Sequence, residues 1–111
     1  MKIQQQRHGA VTILRPDGPL VAAEAEQLAA SMTQAMQGNL GRVVLDLRAV
    51  PFVDSKGLET LLDLTEAASL GGRALKLCGV NKTIRQVLEL TGLVSSFEHF
   101  VDTTAAVRSF L

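Results

Sequence analysis

Residues 42–62 read Arg42-Val43-Val44-Leu45-Asp46-Leu47-Arg48-Ala49-Val50-Pro51-Phe52-Val53-Asp54-Ser55-Lys56-Gly57-Leu58-Glu59-Thr60-Leu61-Leu62. The first part is short, apolar and β-branched, as a strand buried on both faces would be. Pro51 interrupts any regular element. Beyond it, Leu58, Leu61, Leu62 and Thr65 recur at helical spacing. Asp54 and Ser55 therefore fall where a helix begins, where short oxygen-bearing side chains are favoured as caps. A hydroxyl there lies near unpaired backbone N–H groups and the positive end of the helix dipole. A strand, a loop and a helix in succession are one unit of an α/β fold.

The units on either side agree. Residues 2–7 alternate weakly and fit a short edge strand. His8-Gly9-Ala10 is a turn signal, and Val11–Leu14 forms a stronger strand, so the chain opens with a hairpin. Arg15-Pro16-Asp17-Gly18-Pro19, dense in turn formers, is expected to close that strand. Val21–Gln37 is rich in strong helix formers, with Leu28, Ala29, Met32, Ala35 and Met36 on one apolar face. Gly38-Asn39-Leu40-Gly41 is expected to stop that helix.

After the helix that opens at Asp54–Ser55, expected to end near Leu70, Arg73–Cys78 reads as a further strand. Asn81 is expected to cap a helix through Leu90, with Ile84, Val87 and Leu88 inward. Thr91-Gly92-Leu93 places a glycine where helices stop. A short strand is expected around Phe97. Asp102 or Thr103 then starts a last helix containing Ala106, Val107 and Phe110. The expected class is α/β: a mixed sheet of about four to five strands, an N-terminal hairpin followed by βα units, packed by about four helices. Residues 1–111 read as one domain without repeat or linker.

Composition excludes several functions. Eleven basic and eleven acidic residues balance to zero, unlike the basic footprint of a nucleic-acid binder. The aromatic residues are all Phe, at 4%, which leaves no stacking platform for single strands. Cys78 stands alone in an apolar run and reads as a buried, inert thiol. No apolar stretch reaches bilayer length and no signal-peptide core is present. A cytoplasmic protein without direct membrane insertion is expected.

Catalytic signals are missing too. Nucleophilic catalysis at Ser55 needs a base within reach. His8 and His99 carry no motif and read as exposed loop residues. Ser55 is not in a Gly-x-Ser-x-Gly elbow, and the glycines do not have phosphate-loop spacing. Asp46, Asp54, Glu59 and Asp63 read as solvated faces and caps rather than metal ligands. No enzyme activity, metal or cofactor is expected.

The element order, together with Val43–Leu47, Asp54-Ser55-x-Gly57-Leu58 and Thr91-Gly92-Leu93, resembles the STAS domain, the fold of bacterial anti-sigma factor antagonists. The likeness covers nearly the whole chain. It implies that Ser55 is a phosphoacceptor. The implied partners are a serine kinase of the histidine-kinase-like ATPase class, itself an anti-sigma factor, and a PP2C-type phosphatase. The unmodified protein would sequester the kinase and release a sigma factor; the phosphorylated form would not bind. The implied partner-binding residues are Asp54, Ser55, Lys56, Gly57 and Glu59. Asp54 would position the acceptor, Gly57 would allow close backbone approach, and Leu58 would anchor the helix.

This chain departs from the family pattern at two places. Lys56 stands where a small residue commonly follows the acceptor. Val21 stands where an aspartate often ends a Gly-x-Leu-Asp segment. The resemblance also admits a second reading, a structural STAS subunit of an assembly such as a bacterial lipid-transport ABC system. Ser55 would then be an interface or capping residue.

Overall fold

The computed structural model of the chain describes residues 1–37, 42–72 and 74–110, with Ala74 by its backbone only. Its elements are β1 (Lys2–His8), β2 (Val11–Asp17), α1 (Ala22–Gln37), β3 (Arg42–Asp46), α2 (Ser55–Leu70), β4 (Ala74–Cys78), α3 (Lys82–Leu90), a 3₁₀ turn (Val94–Ser96), β5 (Glu98–Phe100) and α4 (Thr103–Arg108). The helix stop expected at Gly38–Gly41 and the strand start expected at Arg73 lie outside the described residues.

The five strands lie in the order β1-β2-β3-β4-β5. β1 and β2 are the expected antiparallel hairpin, with His8 opposite Val11. The remaining pairs are parallel, with Leu14 beside Leu45 and Leu45 beside Leu77. Such pairs need crossovers, which α1, α2 and α3 supply.

Period-two alternation sends successive side chains to opposite faces. Leu14, Val43, Leu45, Leu75 and Leu77 join Leu28 and Met32 of α1, Leu61 and Leu64 of α2, and Ile84 and Leu88 of α3 in the main core. Val11, Ile13, Val44 and Cys78 face the other way and meet Ala106 of α4. Both faces of the central strands are covered, so their sequences are nearly continuous apolar runs rather than alternating ones. Met32 and Met36 are buried in the main core, as core fillers. Among the described residues, no helix is long and apolar enough to cross a membrane.

Three expectations change. β2 does not stop at Leu14 but continues through Pro16, which pairs with Ile3. Parallel pairing with β3 ends at Leu14, so Pro16 sits where β2 has a strand on one side only. A residue without an N–H is tolerated there. His8 ends β1 instead of lying in the turn. Phe110 lies beyond the last helical residue, Arg108, and packs beside the smaller core.

Lys76 of β4 is buried beneath the end of α4. Its ammonium bonds the Ser109 hydroxyl at 2.7 Å and lies 4.2 Å from the Phe110 ring centroid. A buried ammonium needs such partners, because desolvation alone would disfavour it.

Candidate functional site

The expected acceptor segment lies at the carboxyl end of the parallel strands, where loops of α/β sheets gather functional residues. Three such loops meet there: residues 18–21 after β2, 47–54 after β3 and 79–81 after β4.

The first two are joined along their backbones. Gly18 donates to the Ala49 carbonyl at 3.0 Å, Leu20 donates to Phe52 at 3.0 Å, and Asp54 donates to Leu20 at 3.3 Å. This pattern makes Leu20 and Val53 a single parallel bridge, with both side chains buried. The third loop holds the second through Asn81, whose side-chain amide donates to Val50 O at 3.0 Å and Pro51 O at 3.2 Å. The other end of that side chain accepts from Ile84 N at 2.8 Å and caps α3. The cap is the one that the sequence predicts. The grip of Asn81 on the neighbouring loop has no local sequence signal, because the partners lie about thirty residues away.

The start of α2 is resolved in favour of one of the two expected caps. Asp54 has extended backbone, and its carboxylate accepts from Gly57 N at 2.8 Å. Ser55 is the first helical residue, is exposed, and does not cap the helix. Its hydroxyl has no protein partner among the described residues, and no protein acceptor meets the N–H of Ser55 or Lys56. First-turn donors of this kind favour an anion nearby.

Of the other expected partner-binding residues, Lys56 and Glu59 are exposed. Gly57 is buried, and it is the backbone-approach residue: a Cβ built on it would collide with the carbonyl oxygen of Leu20. The α2 backbone therefore seats directly on the 18–21 loop. Leu58 is partly buried against the main core, behind Leu61 and Leu64. Val21 is half-buried, and Ala22 after it has φ 44°, a left-handed conformation that a residue with a Cβ adopts at a cost.

Below this site, Asp46 corrects another expectation. It is not on a solvated face: its side chain is only 1% exposed and lies between two arginines. It accepts from Arg15 Nε at 2.7 Å, from Arg48 N at 3.0 Å and from the Arg48 guanidinium at 3.0 Å. Burial alone would raise its carboxyl above the usual range. The hydrogen bonds from Arg15 and Arg48, with the Arg48 charge, outweigh burial and hold it below that range. The cluster ties β2 to the turn that leads out of β3 toward Ser55.

Cys78, beside it, is fully buried, and its thiol is pushed up to about 12, first by burial and then by the Asp46 charge. His99 is also corrected. It belongs to β5, is half-buried, and its Nε2 lies 2.8 Å from Val94 O. Among the described residues, no group of three or more His, Cys, Asp or Glu side chains is placed to hold a metal ion.

Comparison with known proteins agrees with this architecture. The STAS domain family model matches residues 2–107. A relative in Bordetella bronchiseptica, BtrV, named as a candidate anti-sigma factor antagonist, is 29% identical over 110 residues, 99% of this chain and 95% of that protein. The anti-sigma F factor antagonist of Paenibacillus polymyxa is 28% identical over 94 residues, 84% of this chain and 80% of that protein. The solved structure of the Bacillus cell fate determinant SpoIIAA in its phosphorylated form superposes with a TM-score of 0.72 at 19% identity, covering 97% of this chain and 99% of that one.

Proposed function

The chain belongs to the STAS domain family, and on that footing we propose that it is an anti-sigma factor antagonist switched by phosphorylation of Ser55. In the unmodified state it sequesters an anti-sigma factor that is also a serine kinase of the histidine-kinase-like ATPase class, and so frees a sigma factor. The kinase transfers the γ-phosphoryl group of ATP to Ser55 Oγ. An O–P bond forms at the serine, the bond to the ADP oxygen breaks, and the hydroxyl proton is lost. A PP2C-type phosphatase returns the serine by hydrolysis.

One observation carries the reading: Ser55 is an exposed hydroxyl, without a partner among the described residues, in the first turn of a helix whose entry is held by three loops. The names of the relatives support the antagonist role, and SpoIIAA, which shares this fold, has a phosphorylated form. Physical chemistry supplies the rest. A phosphoserine adds about −1.5 to −2 charges at neutral pH. The free N–H groups of Ser55 and Lys56 and the helix dipole accommodate that charge within the fold. At an interface shaped for a neutral hydroxyl, the same charge costs several kcal/mol. About 1.4 kcal/mol is tenfold in affinity, so binding is lost while the fold persists.

The test is intact-mass analysis after incubation with the kinase and ATP. One phosphate is expected on the wild type and none on Ser55→Ala, with Ser55→Asp weakening kinase binding. A full phosphate on Ser55→Ala overturns the site.

A further inference from the structure

Four large apolar side chains are strongly exposed among the described residues: Phe52, Leu70, Leu90 and Val101. Only Phe52, 46% exposed, lies in the loop that leads into Ser55. Its orientation follows from the bridge between Leu20 and Val53. Those two side chains are buried, so their neighbours along each segment, Pro19 and Val21 on one and Phe52 and Asp54 on the other, point outward. Asp54 turns its carboxylate back to Gly57 N. The apolar residues on the outer side are exposed Pro19, half-buried Val21 and exposed Phe52, next to exposed Asp54.

This platform is rigid before anything binds. Leu20, Phe52 and Asp54 exchange backbone hydrogen bonds, and Asn81 holds Pro51 O. An apolar contact on a preorganised loop binds without the entropic cost of ordering it. At its far end lie Ser55 and then Lys56, an exposed ammonium with no ion pair among the described residues.

Resting on the switch reading above, we infer that binding energy and switching are divided between adjacent residues. Phe52, with Pro19 and Val21, is the affinity anchor. Ser55 is the switch. The occupant is the kinase, through a contact surface that offers an apolar pocket to Phe52 and a carboxylate to Lys56. Exposed aromatics in such settings dominate interface energetics, while a rim charge acts mainly through electrostatics that salt screens.

The experiment measures the affinity of the host's purified serine kinase for the wild type, Phe52→Ala, Val21→Asp, Lys56→Glu and Leu90→Ala, at low and high salt. Ser55 phosphorylation of the wild type and the melting temperature of each variant are recorded alongside. Phe52→Ala and Val21→Asp are each expected to weaken binding at least tenfold at both salt concentrations. Lys56→Glu is expected to weaken it several-fold at low salt and less at high salt, and Leu90→Ala to leave it unchanged. Wild-type binding and phosphorylation with Phe52→Ala within twofold of wild type, or with Val21→Asp binding more tightly, overturn the anchor alone. No binding and no Ser55 phosphorylation in the wild type overturn the anchor and the switch together.

Discussion

Gly57 and Leu20 meet backbone to backbone: the α-carbon of the third residue of α2 faces the Leu20 carbonyl with no room between them for a methyl group. That carbonyl also accepts from Asp54 N. Gly57→Ala would gain about 1 kcal/mol of helix propensity. The collision is with backbone, which no rotamer change relieves, and overpacking of this sort costs about 1–3 kcal/mol. The expected result in urea denaturation is a net loss of stability, with reduced phosphorylation of Ser55 as the α2 entry shifts.

The division of labour between Asp54 and Ser55 is testable by stability alone. Asp54→Ala removes the cap from Gly57 N and is expected to cost about 1 kcal/mol, with Asp54→Asn retaining most of it. Ser55→Ala removes an exposed hydroxyl without a partner among the described residues and is expected to stay within about 0.5 kcal/mol of wild type. Equal losses for the two variants would contradict the assignment of the cap.

Asp46 makes the fold sensitive to acid. Its carboxyl is held below the ordinary carboxylate value of 3.8 in the folded chain. The stability it supplies is therefore fully present above the unfolded value and is lost as pH falls through the folded one. Unfolding measured from about pH 5 downward should show a steeper loss for the wild type than for Asp46→Asn, which has no carboxyl to titrate there. Asp46→Asn itself should be less stable at neutral pH, because it leaves Arg15 and Arg48 without their shared carboxylate.

Cys78 should be silent to thiol reagents in the native protein at pH 8. It has no exposed surface and its thiol is raised to about 12, so both access and thiolate are lacking. Reaction with a thiol-specific dye should follow global unfolding, appearing in denaturant with the same midpoint as the loss of helix signal.

What the sequence determined by itself is what short-range physics writes into it. The apolar periods of Val11–Leu14, Val43–Leu47 and Leu75–Cys78 marked strands, and the caps Asn81 and Asp102 and the stop at Gly92 marked helix ends. Each signal acts within a turn or along a few residues of strand, so it is readable in order. The place of Ser55 at a helix start belongs to this class. Tertiary structure decided what depends on sheet order and register: that Asp46 is buried between Arg15 and Arg48, that His99 is half-buried in β5, that Leu20 seats Gly57, and that Asn81 reaches Pro51. These partners mostly lie some thirty or more residues apart. A hydrogen bond or a collision between such residues exists only once neighbouring strands align their loops, and no local preference encodes it.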